Sequence, residues 1–120
     1  MRTLKPILIV EDDEGIRDTL SLMLQMEGYE VMQTSNGQEA LELLGKIDPP
    51  SLILLDLMMP VMNGFEFAAA IEQQEAFSSI PIVLLTAYTE HAHRVRNAKC
   101  VLFKPVEFDQ LFQTVREYCG

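Results

Sequence analysis

Four apolar runs in this chain each end on a polar residue of a type that suits one shared site. Ile7-Leu8-Ile9-Val10 leads into Glu11-Asp12, Leu52-Ile53-Leu54-Leu55 into Asp56, Ile82-Val83-Leu84-Leu85 into Thr86, and Val101-Leu102-Phe103 into Lys104. Runs this short and this uniformly apolar fit strands covered on both faces, and stretches of helical spacing separate them. The chain therefore reads as an α/β protein built on a parallel sheet, whose strands all point their carboxyl ends toward one edge, where such sheets bind ligands. Three carboxylates, a hydroxyl and an ammonium would meet there. That set can hold a divalent cation, offer a carboxylate nucleophile and balance the charge of a transferred phosphoryl group.

The intervening segments support this architecture. Ile16, Leu20, Met23 and Leu24 recur at helical spacing, and Gly28 suits a left-handed cap after them. Tyr29 to Thr34 reads as a short strand, and Asn36-Gly37 turns the chain into a helix whose Ala40, Leu41, Leu43 and Leu44 face inward. Pro49-Pro50 stops anything helical before the third strand. Asn63-Gly64 makes a similar turn, Phe65, Phe67, Ala68 and Ile71 form the apolar face of the next helix, and Pro81 precedes the fourth strand. A short helix is expected around Glu90 to Ala98, and a last one near Glu107 to Tyr118 that buries Phe108, Leu111, Phe112 and Val115. Five βα units joined by right-handed crossovers place helices on both faces of the sheet.

The length of 120 residues and the 48% hydrophobic content suit one domain spanning residues 1–120. Nine basic and 18 acidic residues leave a formal charge of −9, which disfavours direct binding to nucleic acid or to anionic membranes. Cys100 and Cys119 lack a CxxC spacing and read as reduced packing residues. No apolar stretch approaches the roughly 20 residues of a membrane span, and the six residues before Ile7 are too short for a signal peptide, so a cytoplasmic location is expected.

Six segments together carry a resemblance that runs the length of the chain: Ile7-Leu8-Ile9-Val10-Glu11-Asp12-Asp13-Glu14-Gly15-Ile16-Arg17, Gly28-Tyr29-Glu30-Val31, Asn36-Gly37-Gln38-Glu39-Ala40-Leu41, Leu54-Leu55-Asp56-Leu57-Met58-Met59-Pro60-Val61-Met62-Asn63-Gly64, Leu84-Leu85-Thr86-Ala87 and Phe103-Lys104-Pro105. The chain resembles the receiver domains of two-component response regulators. The resemblance implies a flavodoxin-like, doubly wound (βα)5 fold with five parallel strands in the order 2-1-3-4-5. It also implies that Asp56 is the phosphoacceptor, taking its phosphoryl group from a phosphohistidine on a sensor histidine kinase or histidine phosphotransfer protein, for transmission to a downstream effector protein or domain. Such a protein catalyses only its own phosphorylation and dephosphorylation.

By the same resemblance Mg2+ is the cofactor, with Asp12, Asp56 and the Met58 backbone carbonyl as direct ligands and Glu11 acting through a water. Lys104 pairs with Asp56 and then with the phosphoryl oxygens, Thr86 donates its hydroxyl to them, and the small Ala87 leaves the adjacent backbone N–H accessible. The chemistry is consistent, because an aspartate is ionised at neutral pH without an activating base and can attack phosphorus once the charge is neutralised. Asp13, one step beyond the acidic pair, reads as a helix cap. Met58, Met59 and Met62 have no Cys or His beside them and read as loop and core fillers. His91 and His93 lie two apart, so a helix would point them to different sides.

Two departures from the family pattern concern output. The interval from Thr86 to Lys104 is short by about one helical turn of ~3.6 residues, which shortens the helix between the fourth and fifth strands or its leading loop. The position three before the lysine, usually an aromatic that rotates on phosphorylation, is Val101. A largely monomeric state is expected in consequence. Alternatives are a receiver cut from a hybrid kinase or multidomain regulator, or a pseudo-receiver acting as a binding module. A haloacid-dehalogenase-type phosphatase would place a second acid two residues after its nucleophile, where this chain has Met58.

Overall fold

The computed structural model describes residues 5–87 and 95–119. Strands β1 (Ile7–Val10), β2 (Val31–Thr34), β3 (Leu52–Asp56), β4 (Ile82–Thr86) and β5 (Ala98–Phe103) form one sheet in the order β2-β1-β3-β4-β5, with every pairing parallel. Among the described residues the helices are α1 (Glu14–Met26), α2 (Gly37–Leu44), α3 (Gly64–Glu72) and α4 (Phe108–Cys119). This is the flavodoxin-like arrangement implied above. Alternate residues of the central strands feed two cores, since successive side chains leave opposite faces of a strand. Ile7, Ile9, Leu52, Leu54, Val83 and Leu85 pack with Leu20 and Leu24 of α1 and Leu111 and Val115 of α4. Leu8, Val10, Ile53, Leu55, Ile82 and Leu84 pack with Ala40 and Leu44 of α2 and Phe67, Ala68 and Ile71 of α3.

The helix starts are built by side-chain caps. Asp13 accepts the Ile16 N–H at 2.9 Å, Asn36 accepts that of Glu39, and Asn63 and Glu66 form a reciprocal capping box before α3. Gly28, at φ +93°, supplies the left-handed residue after α1. The loop after β3 folds back sharply at Val61, which stands at φ +68° while the Met62 N–H donates to the Pro60 carbonyl at 2.7 Å. Met62 in turn accepts the Gly37 N–H at 3.1 Å, tying the loop to the first residue of α2.

Two boundaries and two burial expectations come out differently. β2 begins at Val31, not Tyr29. Residues 90–94 of the helix expected over Glu90 to Ala98 lie outside the described residues, and Ala98 is already in β5, which reaches back past Val101 through an irregularity that pairs Ile82 with Ala98 and Val83 with Cys100. Phe108 is 39% exposed, because α4 starts there at the margin of its packed face and the ring stacks on Phe112 instead. Leu41 and Leu43 are only half-buried.

Gly64 is required for close approach. A Cβ on it would lie 2.5 Å from the Asp56 carbonyl oxygen and 2.7 Å from the Leu57 Cα, both backbone atoms that cannot swing aside. Gly15, inside α1, has nothing nearer than the Asp13 carboxylate at 3.4 Å. Gly64→Ala should therefore lower stability in urea by about 1–3 kcal/mol, whereas Gly15→Ala should raise it by about 0.5–1 kcal/mol. Similar effects at the two positions would contradict the tight passage beneath Gly64.

Candidate functional site

Strand register delivers the polar residues to one edge. Val10 lies beside Leu55, so Glu11 follows alongside Asp56; Asp56 lies beside Leu85, placing Thr86 one step on; and Thr86 lies beside Phe103, placing Lys104 next. The Lys104 N–H donates to the Thr86 carbonyl at 2.8 Å, and the Glu11 N–H to that of Thr34 at 3.1 Å. Carboxylate oxygens of Glu11, Asp12 and Asp56 all lie within 4.8 Å of one another. Glu11 is fully buried, Asp56 nearly so, and Asp12 is exposed. They line an open cleft of about 210 Å3 together with Met58, Ala87 and Lys104. Thr86 is buried beneath the same edge.

The Lys104 ammonium lies 2.7 Å from Glu11 Oε1 and 3.4 Å from Asp56 Oδ1. The Met58 N–H also donates to Asp56 Oδ1, at 3.3 Å. Glu11 is anchored further by the Asp13 N–H, which donates to Oε2 at 3.1 Å, and by Arg17, whose Nη1 donates to the Glu11 carbonyl at 3.0 Å. Asp13 itself is turned to its cap. The Met58 side chain is 56% exposed at the mouth. His91 and His93 lie outside the described residues.

Two features escaped the sequence. The shorter partner of Lys104 is Glu11, not Asp56, and the sign that could have suggested it is the additional methylene of a glutamate at this position. Beside the cleft an apolar groove of about 470 Å3 runs between α1 and the segment leading into α4, lined by Ile16, Thr19, Pro105, Val106 and Phe108 and reaching Lys104.

Residues 7–116 match the response regulator receiver domain. The chain belongs to this family. It is 30% identical to the polar-differentiation response regulator DivK of Brucella anthropi, over 97% of both chains. Among solved structures, the chemotaxis response regulator CheY4 of Vibrio cholerae is 34% identical, with a TM-score of 0.87 over 97% of this chain and 99% of that one. The response regulator TrrA of Thermotoga maritima, solved in complex with Mg2+ and BeF, is also 34% identical, with a TM-score of 0.84 over 96% and 99% of the two chains. The chain is a receiver domain of a two-component response regulator. Among the described residues no helix is long and apolar enough to cross a membrane.

The electrostatics of this receiver suit a hard cation. Burial, reinforced by the hydrogen bond and negative charge of Glu11, raises the Asp56 carboxyl from 3.8 to about 7, against the opposing pull of Lys104 and the Met58 N–H. Burial alone would lower Lys104, but the Glu11 and Asp56 carboxylates outweigh it and hold the ammonium above its ordinary 10.5. Crowded carboxylate oxygens are the hard donors that Mg2+ takes.

An acid harder to ionise in the fold than in the unfolded chain costs stability as pH rises. For Asp56 in metal-free protein the loss accrues between pH 3.8 and about 7 and is complete above that. Asp56→Asn should therefore stabilise the protein in EDTA at pH 8 by about 1–3 kcal/mol, allowing for water at the cleft mouth. The gain should vanish toward pH 4. Urea midpoints at the two pH values test this, and a variant less stable than the parent at pH 8 would exclude net repulsion at Asp56.

Proposed function

We propose that this receiver takes a phosphoryl group onto Asp56 from a phosphohistidine, in a Mg2+-dependent reaction, and that the acyl phosphate is the signalling state. The observation that carries the reading is the position of the Asp56 contacts. Lys104 and the Met58 N–H both address Oδ1, which leaves Oδ2 of a carboxylate lining the cleft for in-line attack. The new O–P bond forms as the P–N bond breaks, the electron pair leaves on the imidazole nitrogen, and that nitrogen takes up a proton from water. Lys104 offsets charge on the phosphoryl oxygens and Thr86 offers its hydroxyl to them, while the small Ala87 keeps the neighbouring backbone N–H within reach.

Asp12, Asp56 and the Met58 carbonyl would hold the cation directly and Glu11 would do so through water. When bound it supplies charge neutralisation for the transferring group. The TrrA complex with Mg2+ and BeF, on the same fold, supports that assignment. The protein turns over only its own phosphoryl group and is not otherwise an enzyme. The groove beside the cleft suits the donor, since an apolar helix face of a histidine kinase or phosphotransfer protein laid along α1 would bring its phosphohistidine to Lys104 and Asp56. A downstream effector reads the phosphorylated form, and the domain works as a cytoplasmic monomer.

Acetyl phosphate with Mg2+ should add one phosphoryl group by intact mass, and Asp56→Ala should prevent it; labelling that persists in the variant would refute the phosphoacceptor assignment. Replacing Glu11 and Asp12 together by alanine should abolish Mg2+ binding in a metal titration. Asp13→Asn should leave it intact, because asparagine keeps the cap of α1. The reverse ranking would show that the acidic pair is misplaced.

A further inference from the structure

Arg17 brings a positive charge to the N-terminal end of α1, where the helix dipole favours acids and disfavours cations. Its neighbours there follow the rule, with Asp13 as the cap and Glu14 in the first turn. A cation so placed works against its own helix, and what its side chain touches gives the reason. Helix side chains lean toward the N-terminus. The half-buried Arg17 thus reaches back to the end of β1, where Nη1 donates to the Glu11 carbonyl at 3.0 Å. That carbonyl belongs to the peptide joining Glu11 to Asp12. On one side of it the Glu11 N–H donates to the Thr34 carbonyl at 3.1 Å, and on the other the Asp13 N–H donates to Glu11 Oε2 at 3.1 Å. Asp12 itself is exposed, with its carboxylate within 4.8 Å of those of Glu11 and Asp56. The rotamers open to that carboxylate all start from a peptide held in one place.

We propose that Arg17 is a positioning residue for the cation: it fixes the Glu11–Asp12 peptide, and through it the Asp12 carboxylate, in the place from which Mg2+ is taken up. The inference rests on the Mg2+-dependent reading above and adds to it a residue that acts only through the backbone of the acidic pair. Two effects of the guanidinium oppose each other here. Its charge repels an incoming divalent cation and by itself lowers affinity. Its grip holds a ligand-bearing peptide ready, and groups that orient metal ligands from behind are worth about 10–100-fold in metal affinity. The grip outweighs the charge, so removing both weakens binding.

The test uses the full chain labelled with 13C and 15N, first in EDTA and then in a MgCl2 titration followed by amide shifts. Arg17→Met removes the donor and the charge while keeping an unbranched stem of similar helix propensity. Arg17→Lys keeps the charge and one flexible donor but loses the planar fork. Without metal, the Glu11 carbonyl carbon should move upfield in Arg17→Met, as a carbonyl that loses a hydrogen bond does, and by less in Arg17→Lys. Mg2+ binding should weaken by about tenfold in Arg17→Met and by less in Arg17→Lys, although the first has shed a repelling charge. An arginine with a merely structural role would lower the urea midpoint in EDTA and leave Mg2+ affinity as it was. Binding in Arg17→Met as tight as in the parent or tighter, an unmoved Glu11 carbonyl, or a different ranking of the three proteins by the two readouts would overturn the proposal. A parent that binds no Mg2+ would overturn the functional reading together with this one, whereas a parent that binds beside an equally tight Arg17→Met overturns this one alone.

Discussion

A carboxylate with no exposure to water has to meet a cation or give up its charge, and in this protein one buried glutamate meets one lysine. That pairing organises the sheet edge. Glu11 follows the buried strand β1, and Lys104 follows β5, three places away in the sheet on the far side of β3 and β4. The ion pair thus spans the tips of the two strands between them and draws Asp56 and Thr86 into a common hollow. Oxygen crowding follows from the same closure. Burial, with Glu11 beside it, is why the Asp56 carboxyl resists ionisation, and three carboxylates around one ammonium are why a divalent cation suits the place.

Much of this was readable from the residues, for reasons that differ from strand to strand. The runs at Ile7, Leu52 and Ile82 are apolar without alternation because both faces of β1, β3 and β4 are covered, and that pattern is local. Asp13 was legible as a cap because capping depends on neighbours three residues away. The order of strands was not legible from alternation and came from resemblance to the family. β5 is longer than its apolar run, since its first residues include the exposed Lys99 and an irregular pairing that an apolar-run criterion cannot see. Helical periodicity places Phe108 on the apolar face but does not say where that packed face ends. The preference of Lys104 for Glu11 depends on side-chain reach across four strands, and no pattern along the chain encodes it.

The two faces of the sheet carry different surroundings for the same site. α1 and α4 bound the apolar groove that leads to Lys104, and the residues lining it come from the helix start after β1 and from the turn after β5. The opposite face belongs to α2 and α3, whose buried residues fill the larger share of the core around Leu55 and Leu57. Thr86 and Phe103 are lateral neighbours at the outer strand, with Phe103 half-exposed and Val101 two residues back beside Leu84. The position two residues nearer the site therefore holds the bulky ring, and the position facing Leu84 holds a short, stiff one.

The reversal at Val61 has a mechanical meaning. A β-branched residue in the left-handed region is strained, and such a conformation persists only where its surroundings impose it. Here the segment is gripped at both ends: Gly64 is wedged against the Asp56 and Leu57 backbone, and the Met62 carbonyl holds the first amide of α2. Asp56 and α2 are consequently the two ends of one short, taut strap. The loop between the phosphoacceptor and α2 thus carries no slack: its two anchors tie the Asp56 backbone to the first turn of a helix on the face opposite the groove.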